Sequence, residues 1–164
     1  SQVHHSATGS GTFEHLTAGP TTLLDPTGEG TVGSAVKDSA IVAAARAAGI
    51  PVETVPQLVA IAGDSNSKAQ TEAKTILRER AVVLGEAVSS LVGLFNPTRV
   101  VLGGQAFTDY PDTLNLIASL IHQNSTDVDI RVTAARGRVQ QQAAAAVAIT
   151  AVAYDPLHAV EGAR

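Results

Sequence analysis

The segment from residue 69 to residue 105 constrains the fold of this chain more than any other stretch. It reads AQTEAKTILRERAVVLGEAVSSLVGLFNPTRVVLGGQ, and its apolar residues recur three or four positions apart: Ala69, Ala73, Ile76, Leu77, Val83, Leu84, Ala87, Val88, Leu91 and Phe95. This spacing predicts one long α-helix with an apolar stripe. Asn96-Pro97 ends the helix, because proline disfavours helical geometry in the preceding residue and lacks an N–H group. At about 1.5 Å per residue the helix is roughly 40 Å long, enough to cross a domain.

A short apolar run follows the helix. Val100-Val101-Leu102 predicts a fully buried strand that ends at Gly103-Gly104. In open α/β sheets ligands bind beyond the carboxyl ends of strands, so Gly103 and Gly104 are candidates for the close approach of a nucleotide to the backbone. A plain turn from strand to helix is the alternative interpretation of the same glycine pair.

The composition indicates one domain over residues 1–164, with flexible ends at 1–11 and 155–164. The chain is 45% hydrophobic but only 3% aromatic, so its core consists of alanine, valine, leucine and isoleucine. No cysteine is present, which excludes disulfides and thiolate metal sites. No apolar run reaches the roughly 18 residues of a membrane span, so we expect a cytoplasmic protein without a membrane partner.

The net charge of −4 gives this chain no electrostatic reason to bind nucleic acid by itself. Arg131, Arg136 and Arg138 form a weak basic cluster, which we interpret as a solvated face because phosphate binding needs many more contacts.

The remaining pattern predicts mostly helices. Helical segments are predicted at 12–24 (broken by Gly19-Pro20), from Ser34 to a cap at Gly49, and at 54–62, 112–123 and 140–153, with a turn at 25–33. Residues 128–133, VDIRVT, alternate as in a half-buried strand. Two strands make a poor sheet, so we expect further strands in a longer protein of which this chain is a part.

Two motif-like patterns carry weak signals. Gly28, Gly30 and Gly33 spell GxGxxG, but Pro26 stands where the required strand would run, so we interpret them as loop glycines. A histidine-rich group, formed by His4, His5, Glu14 and His15, lacks the spacing of a metal site, and we predict no metal.

Glu14 is the more informative carboxylate. It follows the glycine-rich loop GSGTF (residues 9–13) and is predicted to open a helix, where a negative charge is favourable. Held in this way, it is suited to accept hydrogen bonds from two sugar hydroxyls. An ordinary glutamate in the first turn of a helix is the alternative interpretation.

These segments together resemble the ROK family of sugar kinases and sugar-responsive repressors. The family has a Gly-Cys-x-Glu segment, a Gly-Asp loop before a long helix, and a closing phrase similar to LVNLFNPEVVVLGG. The matching residues here occur in the same order: Gly11 to Glu14, Gly63-Asp64, Leu94 to Pro97, and Val100 to Gly104. The resemblance covers roughly residues 8–153. It implies an α/β fold, namely the C-terminal lobe of the actin-like ATPase fold, helix-rich with a small sheet.

The departures from the family pattern point away from catalysis. Aligning the family's zinc loop on Glu14 places His5, Ala7 and Thr12 at its three cysteine positions, so we predict that the zinc is lost. The family's phosphate-binding and catalytic segments lie in its N-terminal half and do not appear in this chain. An enzyme is therefore disfavoured, and no cofactor is expected beyond a vestigial ATP site.

The resemblance implies the effector-binding and dimerisation domain of a ROK-type transcriptional regulator. Glu14 would bind a sugar or sugar derivative, and Gly103 and Gly104 would line the vestigial nucleotide site. A homodimer is expected, with DNA bound only through an upstream domain. The alternative is the C-terminal half of a ROK kinase that phosphorylates a hexose with ATP.

Overall fold

A computed structural model describes residues 13–124 and 127–133 of the chain. The elements run in this order: α1 (Val32–Val36), α2 (Asp38–Ala47), α3 (Val55–Gly63), α4 (Gln70–Phe95), β1 (Arg99–Gly103), α5 (Gln105–Thr108), a 3₁₀ turn (Pro111–Thr113), α6 (Leu114–His122) and β2 (Asp129–Thr133). The helix-rich α/β architecture with a small sheet is therefore confirmed. The predicted helix at 140–153 and both predicted flexible ends (155–164, and 1–11 in full) lie outside the described residues.

The long helix is confirmed as α4, which joins two hydrophobic clusters. Toward α1, α2 and α3, α4 buries Ala73, Ile76, Leu77, Val83 and Ala87. Toward α6 and the sheet it buries Ala81, Leu84, Val88 and Val92. The helix ends where predicted, because Asn96 adopts a left-handed conformation (φ 44°) and its N–H donates to the Val92 carbonyl at 2.8 Å.

The two predicted strands form a parallel pair, and α6 lies in the connection between them. Their register runs from Arg99 opposite Asp129 to Gly103 opposite Thr133. The prediction of a fully buried first strand is wrong, since Val101 is 59% exposed and only Leu102 is buried. Within the described residues, α4 and α6 pack with Val100, Leu102 and Ile130, and the alternate side chains of β1 remain open.

The predicted helix at 12–24 is wrong. Residues 16–18 instead hydrogen-bond to 30–32: the Ala18 N–H donates to Gly30 O at 2.9 Å, and the Val32 N–H donates to Leu16 O at 2.8 Å. These bonds satisfy backbone groups that a helix would otherwise have paired locally. The predicted turn at 25–33 is shorter than expected, because α1 already begins at Val32.

The helix predicted from Ser34 is interrupted at Lys37. This residue has extended backbone angles (φ −58°, ψ 143°) and separates α1 from α2. An arginine of α4 bridges the interruption, because the Arg80 Nη2 group donates to Val36 O at 3.0 Å and to Asp38 Oδ1 at 2.9 Å. Gly49 follows the end of α2 with a positive φ of 78°, as its predicted capping role requires.

The helices predicted at 54–62 and 112–123 are confirmed as α3 and α6. The α3 helix begins after Thr54, whose hydroxyl accepts from the Gln57 N–H in a capping box, and Pro56 lies in its first turn. The α6 helix buries Ile117 and Ile121 one turn apart, as its amphipathic pattern predicts.

A carboxylate of α4 holds the chain that leads into the 25–30 turn. Glu79 accepts hydrogen bonds from the N–H groups of Thr22, Leu23 and Leu24 at 2.7, 2.8 and 3.2 Å, and from the Thr22 hydroxyl at 2.8 Å. Partial burial raises the pKa of Glu79, but the hydrogen bonds from Leu23, Thr22 and Leu24 outweigh it and lower the pKa below its ordinary 4.5.

Two glycines of α4 give a matched test of how closely this helix packs on α6. A Cβ on Gly85 would lie 2.7 Å from Leu120 Cδ1 and 3.4 Å from Ile117 Cα, whereas one on Gly93 would meet nothing within 4 Å. Both changes to alanine gain the same helix propensity, so their difference isolates overpacking. We expect Gly85→Ala to be less stable than Gly93→Ala by about 1–3 kcal/mol in urea denaturation. Equal stability of the two variants would contradict this packing.

Glu79 predicts a pH dependence of stability. Because its folded pKa lies below the unfolded value, its contribution is complete above about pH 4.5 and is lost as the pH falls through the lowered pKa. We expect Glu79→Gln to cost about 1–2 kcal/mol at neutral pH, and the difference from the unchanged protein to shrink in acid. Glu53→Gln, at an exposed position, is the control in denaturation series at several pH values. A cost that does not change with pH would contradict the prediction.

Candidate functional site

Glu14 lies in a turn, not at the start of its own helix. The Leu16 N–H donates to Phe13 O at 3.0 Å, which closes this turn, and the Glu14 side chain is exposed. The predicted support from a helix that begins at Glu14 is therefore wrong, because residues 16–18 bond to residues 30–32 instead. The use of Glu14 for a sugar does not depend on that helix and stays a prediction.

The position of Glu14 is fixed through its backbone. Its carbonyl accepts from the Gly33 N–H at 2.8 Å, at the start of α1. A Cβ on Gly33 would lie 3.0 Å from both Glu14 Cβ and Glu14 O, so glycine permits this close contact. The sequence draws attention to this glycine, because Gly33 is the third glycine of the GxGxxG pattern, but it does not indicate the contact with Glu14.

The GxGxxG segment is a turn organised by Asp25. Its carboxylate accepts from the Gly30 N–H at 2.7 Å, the Glu29 N–H at 3.2 Å and the Thr27 hydroxyl at 3.1 Å. The hydrogen bond from Gly30 is the main reason that the pKa of Asp25 is lowered. The loop interpretation is correct for Gly28 and Gly30, which have positive φ angles, whereas Gly33 lies in α1.

The metal and arginine predictions fall partly outside the described residues. In 13–124 and 127–133, no group of three or more His, Asp or Glu side chains is arranged to hold a metal ion. His4 and the aligned zinc positions His5, Ala7 and Thr12 are outside these ranges. The same is true of Arg136 and Arg138.

Gly103 and Gly104 form the turn at the carboxyl end of β1. Gly104 has a φ of 104°, which other residues adopt only with strain, and it precedes the four-residue helix α5. Its carbonyl accepts from the Phe107 N–H at 3.1 Å and the Thr108 hydroxyl at 3.2 Å. A Cβ on Gly104 would meet nothing within 4 Å, so the space beside this backbone is open. This geometry agrees with both interpretations of the glycine pair.

An apolar groove of about 410 Å³ lies beside the end of α4 and β1. Phe13, the neighbour of Glu14, and Gly103 both line it, although Glu14 does not. Its other lining residues come from the end of α4, the connection to β1, β1 itself and α5: Val88, Leu91, Val92, Phe95, Pro97, Val100, Val101, Leu102 and Phe107. Phe95 is 66% exposed and its neighbour Leu94 is 75% exposed, so the end of α4 presents apolar surface.

A second cavity, of about 520 Å³, was missed by sequence reasoning. We call it the Glu86 cavity. It lies between residues 16–19, the middle of α4 and the end of α6, and is lined by Leu16, Thr17, Ala18, Gly19, Val83, Glu86, Ala87, Ser89, Ser90, Leu120, Gln123 and Asn124. Its residues come from three separate segments, so no contiguous motif signals it.

Among the described residues, no helix is both long enough and apolar enough to cross a bilayer.

Comparison with known proteins gives relatives in sequence and in structure. No protein-family model matches the chain. Transcriptional regulator Rv0485 of Mycobacterium tuberculosis and transcriptional regulator Mb0495 of Mycobacterium bovis are each 37% identical to it over 173 positions, which cover 97% of this chain and 38% of each relative. The chain thus spans less than half the length of these curated relatives.

A solved structure has a fold similar to that of this chain. The crystal structure of a ROK family transcriptional regulator, a homologue of the E. coli MLC protein, superposes with a TM-score of 0.54 and 22% identity. The match covers 74% of this chain and 34% of that one. The resemblance predicted from the motifs is therefore confirmed: the chain has the fold of part of a ROK family transcriptional regulator and is similar in sequence to mycobacterial transcriptional regulators.

Proposed function

We propose that this chain is the effector-binding and dimerisation part of a cytoplasmic ROK-type transcriptional regulator that senses a sugar or sugar derivative. The observation that carries the proposal is the similarity along 97% of the chain to transcriptional regulators, joined to the fold of a ROK regulator. The motifs that carry the family resemblance, LFNP and VVLGG, lie at the end of α4 and in β1 with its glycine turn.

Glu14 is the residue assigned to the effector. Its exposed side chain extends from a backbone that is held on α1 by the Gly33 hydrogen bond, so the carboxylate starts from a defined position. A carboxylate accepts hydrogen bonds from neighbouring hydroxyls, which is the chemistry that a sugar offers. Gly103 and Gly104 would line a vestigial nucleotide site, for which the open space beside Gly104 leaves room.

Dimerisation is assigned to the exposed sides of α4 or α6. The exposure of Leu94 and Phe95 at the end of α4 supports this assignment, since apolar patches of this kind are typical of contact surfaces. DNA would be bound by a part of the full-length protein outside this chain, in agreement with the net charge of −4.

The proposal is tested by titrating the full-length protein with hexoses and N-acetylhexosamines in a calorimeter. We expect at least one sugar to bind, and Glu14→Ala to weaken that binding by about 1–3 kcal/mol if the bound sugar buries its hydrogen bonds to this charged group. Glu29→Ala, at another exposed carboxylate, is the matched control and should leave the affinity unchanged.

Two outcomes would contradict the proposal. Absence of binding across the sugar panel would count against an effector role for the site. Turnover of ATP in the presence of a hexose would favour the kinase alternative instead.

A further inference from the structure

The Glu86 cavity differs from the site assigned to the sugar, since Glu14 does not line it. Its volume of about 520 Å³ is in the range of small-molecule sites. The wall is apolar where Val83, Ala87 and Leu120 lie, and polar groups stand around this apolar part. An apolar surface with a few placed polar groups is the usual composition of a ligand site.

One polar group of the cavity is held rigidly. The Ser89 hydroxyl, on a residue only 4% exposed, donates to Leu120 O at 2.9 Å and accepts from Asn124 Nδ2 at 2.8 Å. Since the amide nitrogen of Asn124 is used in this way, its carbonyl oxygen is left as an acceptor for a ligand. The end of α6 is thereby tied to the middle of α4.

Glu86 supplies the charge of the cavity. Among the described residues that line the cavity it is the one ionisable side chain, and none of them is a lysine or an arginine. Its carboxylate lies over Gly19, where a Cβ would come within 3.3 Å of Glu86 Cδ. The segment at 16–19 therefore leaves room for the carboxylate, and the cavity is rich in acceptors with a single negative charge.

We propose that the Glu86 cavity binds a small organic cation, whose protonated primary amine contacts the Glu86 carboxylate and the Asn124 carbonyl oxygen. The apolar wall would cover the carbon skeleton of the ligand, and the hydroxyls of Ser90 and Thr17 would meet further polar groups. This site goes beyond the proposed function, because it uses neither Glu14 nor the glycine turn. A charge-assisted hydrogen bond at Glu86 gives the amine its advantage over a neutral ligand of the same shape.

Glucosamine is the probe, titrated calorimetrically into the full-length protein below the pKa of its amine. We expect Glu86→Gln to weaken glucosamine binding about tenfold or more, as the loss of a hydrogen bond to a charged group implies. Glu72→Gln, on the same helix but outside the cavity, should leave the affinity unchanged. N-acetylglucosamine, which lacks the positive charge, should not respond to Glu86→Gln.

Crossing these variants with Glu14→Ala separates the two sites. Loss of glucosamine binding in Glu86→Gln but not in Glu14→Ala supports amine binding in the Glu86 cavity. This conclusion does not depend on whether neutral sugars bind at Glu14. Equal binding to the unchanged protein and to Glu86→Gln overturns the proposal, as does the absence of glucosamine binding. Because Glu86 is exposed, Glu86→Gln should keep the melting temperature of the unchanged protein, which a thermal scan checks.

Discussion

The structure depends on one helix that buries two of its sides. Ile76 and Leu77 of α4 pack against the helices that precede it, whereas Leu84 and Val92 pack against α6 and the sheet. Burial of apolar area is the main favourable term in folding, and both clusters bury apolar side chains of α4. Polar side chains of α4 add the specific contacts, since Glu79 holds the loop at 22–24, Arg80 bridges the break at Lys37, and Ser89 fixes the end of α6.

The elements that the sequence predicts correctly are those with local signals. The apolar period of α4 and the proline after Asn96 act within a few residues of their effect. The wrong predictions concern contacts that are distant in sequence. Residues 16–18 are extended because they bond to residues 30–32, and the break at Lys37 is bridged by Arg80, more than forty positions away. The exposure of Val101 depends on which faces of the sheet are covered, which a run of three apolar residues does not encode.

The candidate sites show the same difference between local sequence motifs and contacts that only the fold creates. Glu14, Gly103 and Gly104 were identified from motifs in the sequence, and in the structure Phe13 and Gly103 line one groove. Along α4, Glu86 has the pattern of an ordinary residue on the solvent side, and only the fold sets it beside Gly19 and the end of α6. The chain corresponds to 38% of the length of the mycobacterial transcriptional regulators to which it is similar in sequence.

The hydrogen bonds that Glu79 accepts from three successive N–H groups have a consequence for amide hydrogen exchange. Thr22 and Leu23 lie on the surface, and exposed loop amides ordinarily exchange with solvent as soon as the loop moves. Here their hydrogens are released only when the loop separates from the middle of α4. Slow exchange at these positions would therefore report the opening of the contact between loop and helix, at a point far from either end of the long helix.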